Sequence, residues 1–164
     1  MIILGIDPGT ATTGFGVIKE TKEKITFIAC GCIKTSPDDL PEIRLNQIFN
    51  QINKLIKEYK PNVLAIEKLF FFKNAKTLIP VSQSKGVVLL AAAKKRIPIY
   101  EFTPLQVKMN IVGYGRADKK QVQKMVKILL KLRDIPRPDD AADALGLAIS
   151  YSYLPKKPKR PKNT

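Results

Sequence analysis

The sequence predicts an α/β fold in which helices pack on a mixed, five-stranded β-sheet. Two observations indicate this class. The first 33 residues have the pattern of three strands, and helix-like and strand-like segments alternate in the rest of the chain. Three strands followed by alternating helices and strands are typical of one sheet covered by helices. With 164 residues and 45% hydrophobic content, the chain suits a single domain with a substantial core.

Five segments are predicted to be strands. Residues 2–7 form an almost continuous apolar run, as expected for a strand that is covered on both faces. A Gly/Thr-rich turn leads from it into the second strand, and the polar stretch 20–24 leads into the third. The predicted strands cover residues 2–7, 13–19, 25–33, 63–67 and 97–102.

Five segments are predicted to be helices. In the first, apolar residues recur at three- and four-residue spacing, which marks one buried face. Asp39 is the predicted cap of this helix, with Pro41 in its first turn. In the fourth helix, Asp118 and Gln121 have the spacing of a capping box. The predicted helices cover residues 41–59, 82–95, 104–111, 118–132 and 138–153.

The chain carries a large excess of positive charge. It has 29 Lys and Arg residues against 14 Asp and Glu residues, a formal net charge of +15. Removing the five basic residues of 155–164 from this total still leaves +10. This balance indicates a polyanionic partner, because neutralised phosphates release condensed counterions. The Pro/Lys-rich tail, residues 154–164, is expected to be disordered, which leaves residues 1–153 as one domain.

Several features that the sequence lacks limit its possible chemistry and its cellular location. The sequence has no histidine, which excludes a histidine-based triad. General-base chemistry would then need carboxylates, lysine, a thiolate or a metal-bound water. No apolar stretch reaches the roughly 18 residues of a membrane helix, and Met1 leads directly into a strand rather than a signal peptide. We therefore expect a cytoplasmic protein without a membrane partner.

Acidic side chains lie where two of the apolar strands end. Asp7 closes the first strand and Glu67 the fourth, and open α/β sheets bind ligands at strand ends. Asp140 and Asp143 are about one helical turn apart near the start of the last helix, so both project from one face. The helix macrodipole is enough to explain Asp139 beside them. A capping or loop role would suit any one of these acids, but it does not explain all of them together.

The four acids predict a metal site. Their mutual repulsion would be severe if they met in space, and a hard divalent cation would remove it. Oxygen-only ligation favours Mg²⁺, with Mn²⁺ as a substitute, over zinc. Two such ions can activate a water molecule and stabilise the leaving oxygen of a phosphodiester. The sequence therefore predicts phosphodiester hydrolysis at a site made of Asp7, Glu67, Asp140 and Asp143.

Aromatic and basic residues follow Glu67. Three successive phenylalanines, residues 70–72, cannot all point inward in a helix or a strand. Exposed aromatic rings beside Lys73 and Lys76 would suit unstacked bases, and core packing around a bend is the alternative. The predicted helix 118–132 carries a lysine stripe that is either a DNA contact or an ordinary solvated face. The stripe consists of Lys120, Lys124, Lys127 and Lys131.

Short motifs spread along the chain resemble those of the RuvC family of Holliday junction resolvases. They run in order from residue 1 to about 153 and omit only the tail. Each motif is weak by itself, but the ordered set is specific. The motifs are Gly5-Ile6-Asp7-Pro8-Gly9-Thr10, Thr13-Gly14-Phe15-Gly16, Ile66-Glu67 with Phe70, Lys73-Asn74-Ala75, Val107-Lys108, Ile111-Val112-Gly113-Tyr114-Gly115 and Asp140-Ala141-Ala142-Asp143-Ala144-Leu145.

The resemblance implies a ribonuclease-H-like fold, a homodimer, and two symmetric nicks in a four-way DNA junction. It also implies that the four acids are the catalytic metal ligands. Phe70 matches an aromatic residue that stacks on junction bases, and Lys108 and Lys119 match basic residues near the scissile phosphates. Arg116, in the glycine loop, is a further candidate phosphate contact. The family usually works with the RuvA–RuvB branch-migration motor, so that complex is an expected partner.

Parts of the sequence also suit three other functions. The turn 7–13 also resembles the first phosphate loop of actin-like sugar kinases and ATPases. Those enzymes need two such domains and a second phosphate loop, which do not fit in 164 residues, so no nucleotide cofactor is expected. A related nuclease that trims ribosomal RNA would keep the fold and change the substrate. A non-catalytic DNA-binding module is disfavoured, because acids facing phosphate weaken binding unless a metal is present.

Overall fold

The computed structural model describes residues 1–69 and 75–155 and places a five-stranded sheet between two layers of helices. The strands are β1 (Ile2–Asp7), β2 (Thr12–Glu20), β3 (Ile25–Lys34), β4 (Val63–Glu67) and β5 (Ile99–Phe102). The helices are α1 (Pro41–Tyr59), α2 (Ala75–Lys94), α3 (Pro104–Val112), α4 (Lys119–Leu129) and α5 (Asp139–Ser152). The predicted fold class is confirmed.

The sheet has the order β3-β2-β1-β4-β5 and is mixed. β1, β2 and β3 form an antiparallel meander, whereas β4 and β5 run parallel to β1. In the parallel pair of β1 and β4, Ile6 lies opposite Ile66. The next residue of each strand is acidic. The register alone therefore places Asp7 and Glu67 side by side at the C-terminal ends of these two strands.

The two faces of the sheet bury separate clusters of apolar side chains. Ile3 of β1 lies in the cluster beneath α3, α4 and α5, whereas Leu4 and Ile6 lie in the cluster beneath α1 and α2. Successive side chains of a strand point to opposite faces. Asp7 therefore shares the face of Ile3, and the same alternation from Val63 puts Glu67 on that face as well. Both acids thus point to the side of the sheet that α5 covers.

Small residues let α5 lie close against the sheet. A Cβ atom at Gly5 would collide with the carbonyl oxygen of Ala144, and one at Gly14 would collide with that of Asp140. At Gly16 the added Cβ would come within 2.7 Å of the Leu145 side chain. The three positions therefore have no space for a side chain larger than the hydrogen atom of glycine. They hold the N-terminal turn of α5 directly over the ends of β1 and β2.

Most predicted element boundaries agree with the structure to within a few residues, and two predictions were wrong. The second helix starts at Ala75 rather than at 82, and it contains Pro80 within its second turn. The cap of α1 is Leu40, which makes no side-chain hydrogen bond. Asp39 instead accepts a hydrogen bond from Gln47 Nε2 at 2.9 Å.

Two further predictions concern helix capping and membrane spans. The capping box of Asp118 and Gln121 is confirmed, with both reciprocal hydrogen bonds at 2.8 Å. In the described ranges, none of the helices combines the length and the apolar character that crossing a membrane requires. The tail beyond residue 155 lies outside the described residues, so its expected disorder stays a prediction.

Candidate active site

The four predicted acids line one cleft at the C-terminal ends of β1 and β4. Asp7 and Glu67 reach it from the ends of β1 and β4, and Asp140 and Asp143 reach it from the first turns of α5. The cleft has a volume of about 320 Å³. Lys119, the first residue of α4, lies in the same cleft. Residues far apart in the sequence are therefore brought together as the carboxylate pattern predicted.

The pKa of Asp7 is strongly raised by its burial among the other acids. The pKa of Asp7 is raised from 3.8 to about 8, first by burial and then by the negative charges of Glu67, Asp143 and Asp140. Asp7 and Glu67 also lie within hydrogen-bonding distance of each other. A carboxyl group with such a raised pKa keeps its proton near neutral pH unless a cation stabilises the charged form.

Lys119 partly neutralises the acids of α5. Its Nζ atom lies 2.9 Å from Asp143 Oδ2 and 3.5 Å from Asp139 Oδ2. Burial raises the pKa of Asp143, and the hydrogen bond and charge of Lys119 oppose that increase. Burial acts to lower the pKa of Lys119, but the two carboxylates outweigh it and the net shift is upward. Lys119 therefore remains a cation at the mouth of the cleft.

The carboxylate oxygens of the cleft are suitable ligands for a hard divalent cation. All four side chains offer carboxylate oxygens, the ligands that Mg²⁺ and Mn²⁺ prefer, and their repulsion would be relieved by a cation. As the side chains stand, no three acidic or thiol groups in residues 1–69 and 75–155 surround a common point closely enough to hold an ion. Asp143 is instead paired with Lys119. Metal binding would thus draw the acids closer together than they are here.

Hydrogen bonds stiffen the turn that follows Asp7. Thr13 Oγ1 donates to the carbonyl of Gly9 at 2.6 Å, and Thr35 Oγ1 donates to the carbonyl of Thr10 at 2.6 Å. The hydroxyl groups of Ser84 in α2 and Thr10 lie 3.2 Å apart. The turn is therefore tied to the residue that follows β3 and to α2, and these hydrogen bonds hold the backbone next to Asp7 in place.

The predicted DNA contacts are distributed unevenly around the cleft. Lys108 is half-buried on α3 and lines a second recess that also includes Lys119. Arg116 is exposed in the loop between α3 and α4 and lines neither cavity. Phe70 and Lys73 lie outside the described residues, and Lys76 lies in α2 with a side chain that is outside them too.

The second recess is the feature that the sequence analysis missed. It has a volume of about 280 Å³ and adjoins the carboxylates. Its apolar wall is made by Val107, Val122 and Leu147, residues that occupy the buried faces of three helices. Val122 and Leu147 have the spacing of ordinary core residues, and Val107 stood out only as part of a motif, so the sequence did not indicate a recess.

The fold is that of the ribonuclease-H-like class of nucleases, and the cleft lined by the four carboxylates is its candidate active site. The family model for the crossover junction endodeoxyribonuclease RuvC matches residues 3–151. The protein of that description from Natranaerobius thermophilus is 50% identical over 152 residues, which cover 93% of this chain and 94% of the relative. The corresponding protein from Thermosipho melanesiensis is 54% identical over 148 residues, with 90% and 94% coverage.

A solved structure agrees with these matches. Thermus thermophilus RuvC in complex with Holliday junction substrate has a TM-score of 0.88 and 32% sequence identity, and the comparison covers 93% of each chain. The chain therefore belongs to the RuvC family of crossover junction endodeoxyribonucleases.

Proposed function

We propose that this protein resolves four-way DNA junctions by paired, symmetric nicks. The observation that carries the proposal is the meeting of Asp7, Glu67, Asp140 and Asp143 in one cleft of a strongly basic chain. Membership of the RuvC family and the junction bound by the Thermus thermophilus relative support the substrate. The carboxylate set supports hydrolysis rather than binding alone, because acids facing phosphate repel it without a cation.

The catalytic roles follow from the chemistry of the cleft. Asp7, Glu67, Asp140 and Asp143 would hold Mg²⁺, or Mn²⁺ in its place. Such ions supply Lewis-acid activation of the attacking water and charge stabilisation at the leaving oxygen. The rigid turn after Asp7 and the close packing of α5 fix the direction from which each carboxylate acts. No residue of the cleft calls for a nucleotide cofactor.

Basic residues around the cleft would bind the DNA. Lys119 and Lys108 line the recesses beside the carboxylates, where a scissile phosphate would lie. Arg116, exposed in the loop between α3 and α4, would contact a phosphate farther along the strand. Lys73 and Lys76 would add backbone contacts, and Phe70 would stack on junction bases. Phe70→Ala should then lose cleavage while the protein stays folded. A large fall in its melting temperature would instead favour a core role for this ring.

Paired nicks require two active sites, so the proposal includes a homodimer. One face of α2 offers a surface for it: Ile79 is 67% exposed, Leu90 is 54% exposed, and they lie eleven residues apart on the same side of the helix. Gly86 lies between them on that face, with nothing within 4 Å of an added Cβ. Size-exclusion chromatography with light scattering should show that Leu90→Glu is monomeric, whereas Ile128→Glu on α4 stays dimeric.

The wider setting follows from the same function. A junction resolvase would act in the cytoplasm and would cooperate with the RuvA–RuvB branch-migration complex. Residues 1–153 would form the nuclease domain, with the basic tail from residue 154 as an accessory segment. Binding of the chain to a junction already loaded with RuvA and RuvB, measured by gel shift, tests this partnership.

A cleavage assay tests the proposed reaction. Wild type should nick a labelled four-way junction with Mg²⁺ or Mn²⁺ and should not do so in EDTA. Asp7→Asn should bind the junction in a gel shift but leave it uncut, and Asp134→Asn, which removes an exposed acid, should cut normally. Duplex DNA and an RNA hairpin serve as alternative substrates. Preferred cleavage of the RNA would support a ribosomal RNA trimming nuclease instead.

A further inference from the structure

The start of α4 fixes the backbone position of Lys119. Lys119 is the first residue of this helix and follows the N-cap residue Asp118. The capping box of Asp118 and Gln121 holds the first turn in place. On the other side, Ala117 is fully buried, and its backbone N–H donates to the carbonyl of Tyr114 at 3.1 Å. The packed structure therefore holds the backbone of Lys119, and only its side chain can change direction.

The ammonium group of Lys119 lies between two carboxylates of α5. Lys119 Nζ is 2.9 Å from Asp143 Oδ2 and 3.5 Å from Asp139 Oδ2. The two acids are four residues apart, so they follow one another along one face of the helix. The side chain of Asp143 is 30% exposed and lines the carboxylate cleft, whereas that of Asp139 is 62% exposed and does not line it. Lys119 thus connects an inner acid with an outer one.

The inner contact uses a carboxylate that the proposed metal site also needs. Asp143 would bind the cation together with the other three acids of the cleft. In residues 1–69 and 75–155, no three acidic or thiol groups yet surround a common point. An ammonium group at ion-pair distance from Asp143 supplies part of the positive charge that the acids lack, and it would repel a second cation bound there. Lys119 is therefore the counter-cation of the cleft in this arrangement of the side chains.

The outer contact offers Lys119 a second position. Asp139 Oδ2 is already 3.5 Å from Nζ, so rotation about the last bonds of the lysine side chain brings the ammonium group to it without movement of the backbone. The helix macrodipole favours an acid at residue 139, but it does not require contact between this acid and a lysine. An ammonium group held by Asp139 would remain at the mouth of the cleft and would leave Asp143 free.

We propose that Lys119 balances the charge of the metal-free cleft, moves from Asp143 to Asp139 when a divalent cation binds, and is kept by Asp139 next to the scissile phosphate. Asp139 is thereby a positioning residue that acts through Lys119. The inference rests on the proposed metal-dependent function. Two simpler arrangements compete with it. Lys119 would stay on Asp143 if a cation used only the opposite oxygen of that carboxylate, and Asp139 would act by charge alone if it did not receive the ammonium group.

The Mg²⁺ affinity of the DNA-free protein tests the exchange. Lys119→Met keeps an unbranched side chain and removes the ammonium group. In calorimetry it should bind Mg²⁺ at least about threefold more tightly than wild type, because no ion pair with Asp143 must break. It should also melt at a lower temperature in EDTA, and saturating Mg²⁺ should remove this difference. The matched control is Lys108→Met: Lys108 lines the adjoining recess, forms no salt bridge within the described part of the chain, and should change the affinity by less than about twofold.

A double-mutant cycle tests the role of Asp139. Asp139→Asn should weaken Mg²⁺ binding by about threefold, since Lys119 loses its second partner and stays on Asp143. In the Lys119→Met background the same substitution should change the affinity by less than about 1.5-fold, because an exposed charge is screened by salt. Asp139→Glu, which keeps the carboxylate, should restore the wild-type affinity, and Asp134→Asn should leave it unaltered. In single-turnover nicking, Asp139→Asn should need correspondingly more Mg²⁺ to reach half of its maximal rate.

Three results would overturn the inference. The first is an unchanged or weaker Mg²⁺ affinity of Lys119→Met, and the second is equal weakening by Asp139→Asn in both backgrounds. The third is an absence of Mg²⁺ binding in wild type and Lys119→Met alike. If Lys119→Met does not fold, Lys119→Gln takes its place with the same expected affinities. A wild type that shows these affinity differences but does not nick junctions would refute the proposed function and leave the exchange intact.

Discussion

Replacing Asp7 by asparagine should stabilise the metal-free protein while it abolishes nicking. The pKa of Asp7 is raised from 3.8 to about 8 by burial and by the neighbouring acids, so the fold favours the protonated form. In the unfolded chain the same group ionises near its ordinary value. Between these two pKa values the folded state binds more protons, and stability must fall as pH rises. Asparagine resembles the protonated acid and does not titrate.

The size of the effect follows from the pKa shift. One pKa unit corresponds to about 1.4 kcal/mol, so the free energy of unfolding should fall by on the order of 5 kcal/mol between pH 4 and pH 8. For a chain of this size, that difference corresponds to about 10–20 °C in melting temperature. Wild type and Asp7→Asn should have similar stability below pH 4 and should differ most near pH 8.

The assay is thermal or urea unfolding in EDTA, measured at each pH unit from 4 to 8. Asp134 is an exposed acid in the loop before α5. Its variant Asp134→Asn is the control and should follow the wild-type curve. Added Mg²⁺ should then stabilise wild type at pH 8 much more than Asp7→Asn, because an ion that binds only the folded state adds to its stability. Parallel curves for wild type and Asp7→Asn would refute the reasoning that burial and the neighbouring acids hold the pKa of Asp7 above its ordinary value.

Two further predictions concern packing and DNA binding. Gly14→Ala should destabilise the protein by several kcal/mol in urea unfolding, since its Cβ would meet the Asp140 backbone. Gly86→Ala has open space around the Cβ; with Leu90→Glu present in both variants to remove the proposed dimer contact, it should be neutral or slightly stabilising, and equal losses in both variants would contradict the packing argument. Lys108→Ala should weaken junction binding and lower the salt slope by about 1, whereas an unchanged slope would place Lys108 away from phosphate.

The convergence of the acids could be predicted because it follows from two simple periodicities. A two-residue repeat along β1 and β4 assigns Asp7 and Glu67 to one face of the sheet, and the spacing of Asp140 and Asp143 places both on one face of α5. The start of α2 could not be predicted in the same way. Pro80 favours a helix start over a helix interior, yet the helix extends through it to Ala75.

The recess lay beyond sequence analysis for a different reason. Val122 and Leu147 have the periodicity of core residues, and they are indeed buried. Whether a buried side chain also borders an open cavity depends on how α3 and α4 pack against α5, which no single-helix pattern encodes. The pairing of Lys119 with Asp143 is equally a property of the packed helices, since the two residues lie on different elements.

The repulsion within the carboxylate cluster explains why hydrogen bonds and close packing hold the surrounding backbone in place. Repulsion among four acids would push the strand ends and α5 apart, and a flexible site would relax in that way. Here the turn after Asp7 is tied down by Thr13 and Thr35, while glycines keep α5 in backbone contact with the sheet. The unfavourable crowding therefore stays in the folded state, where it raises the pKa of Asp7, and a divalent cation would relieve it. A site of this kind binds its metal more tightly because the protein prevents the acids from separating.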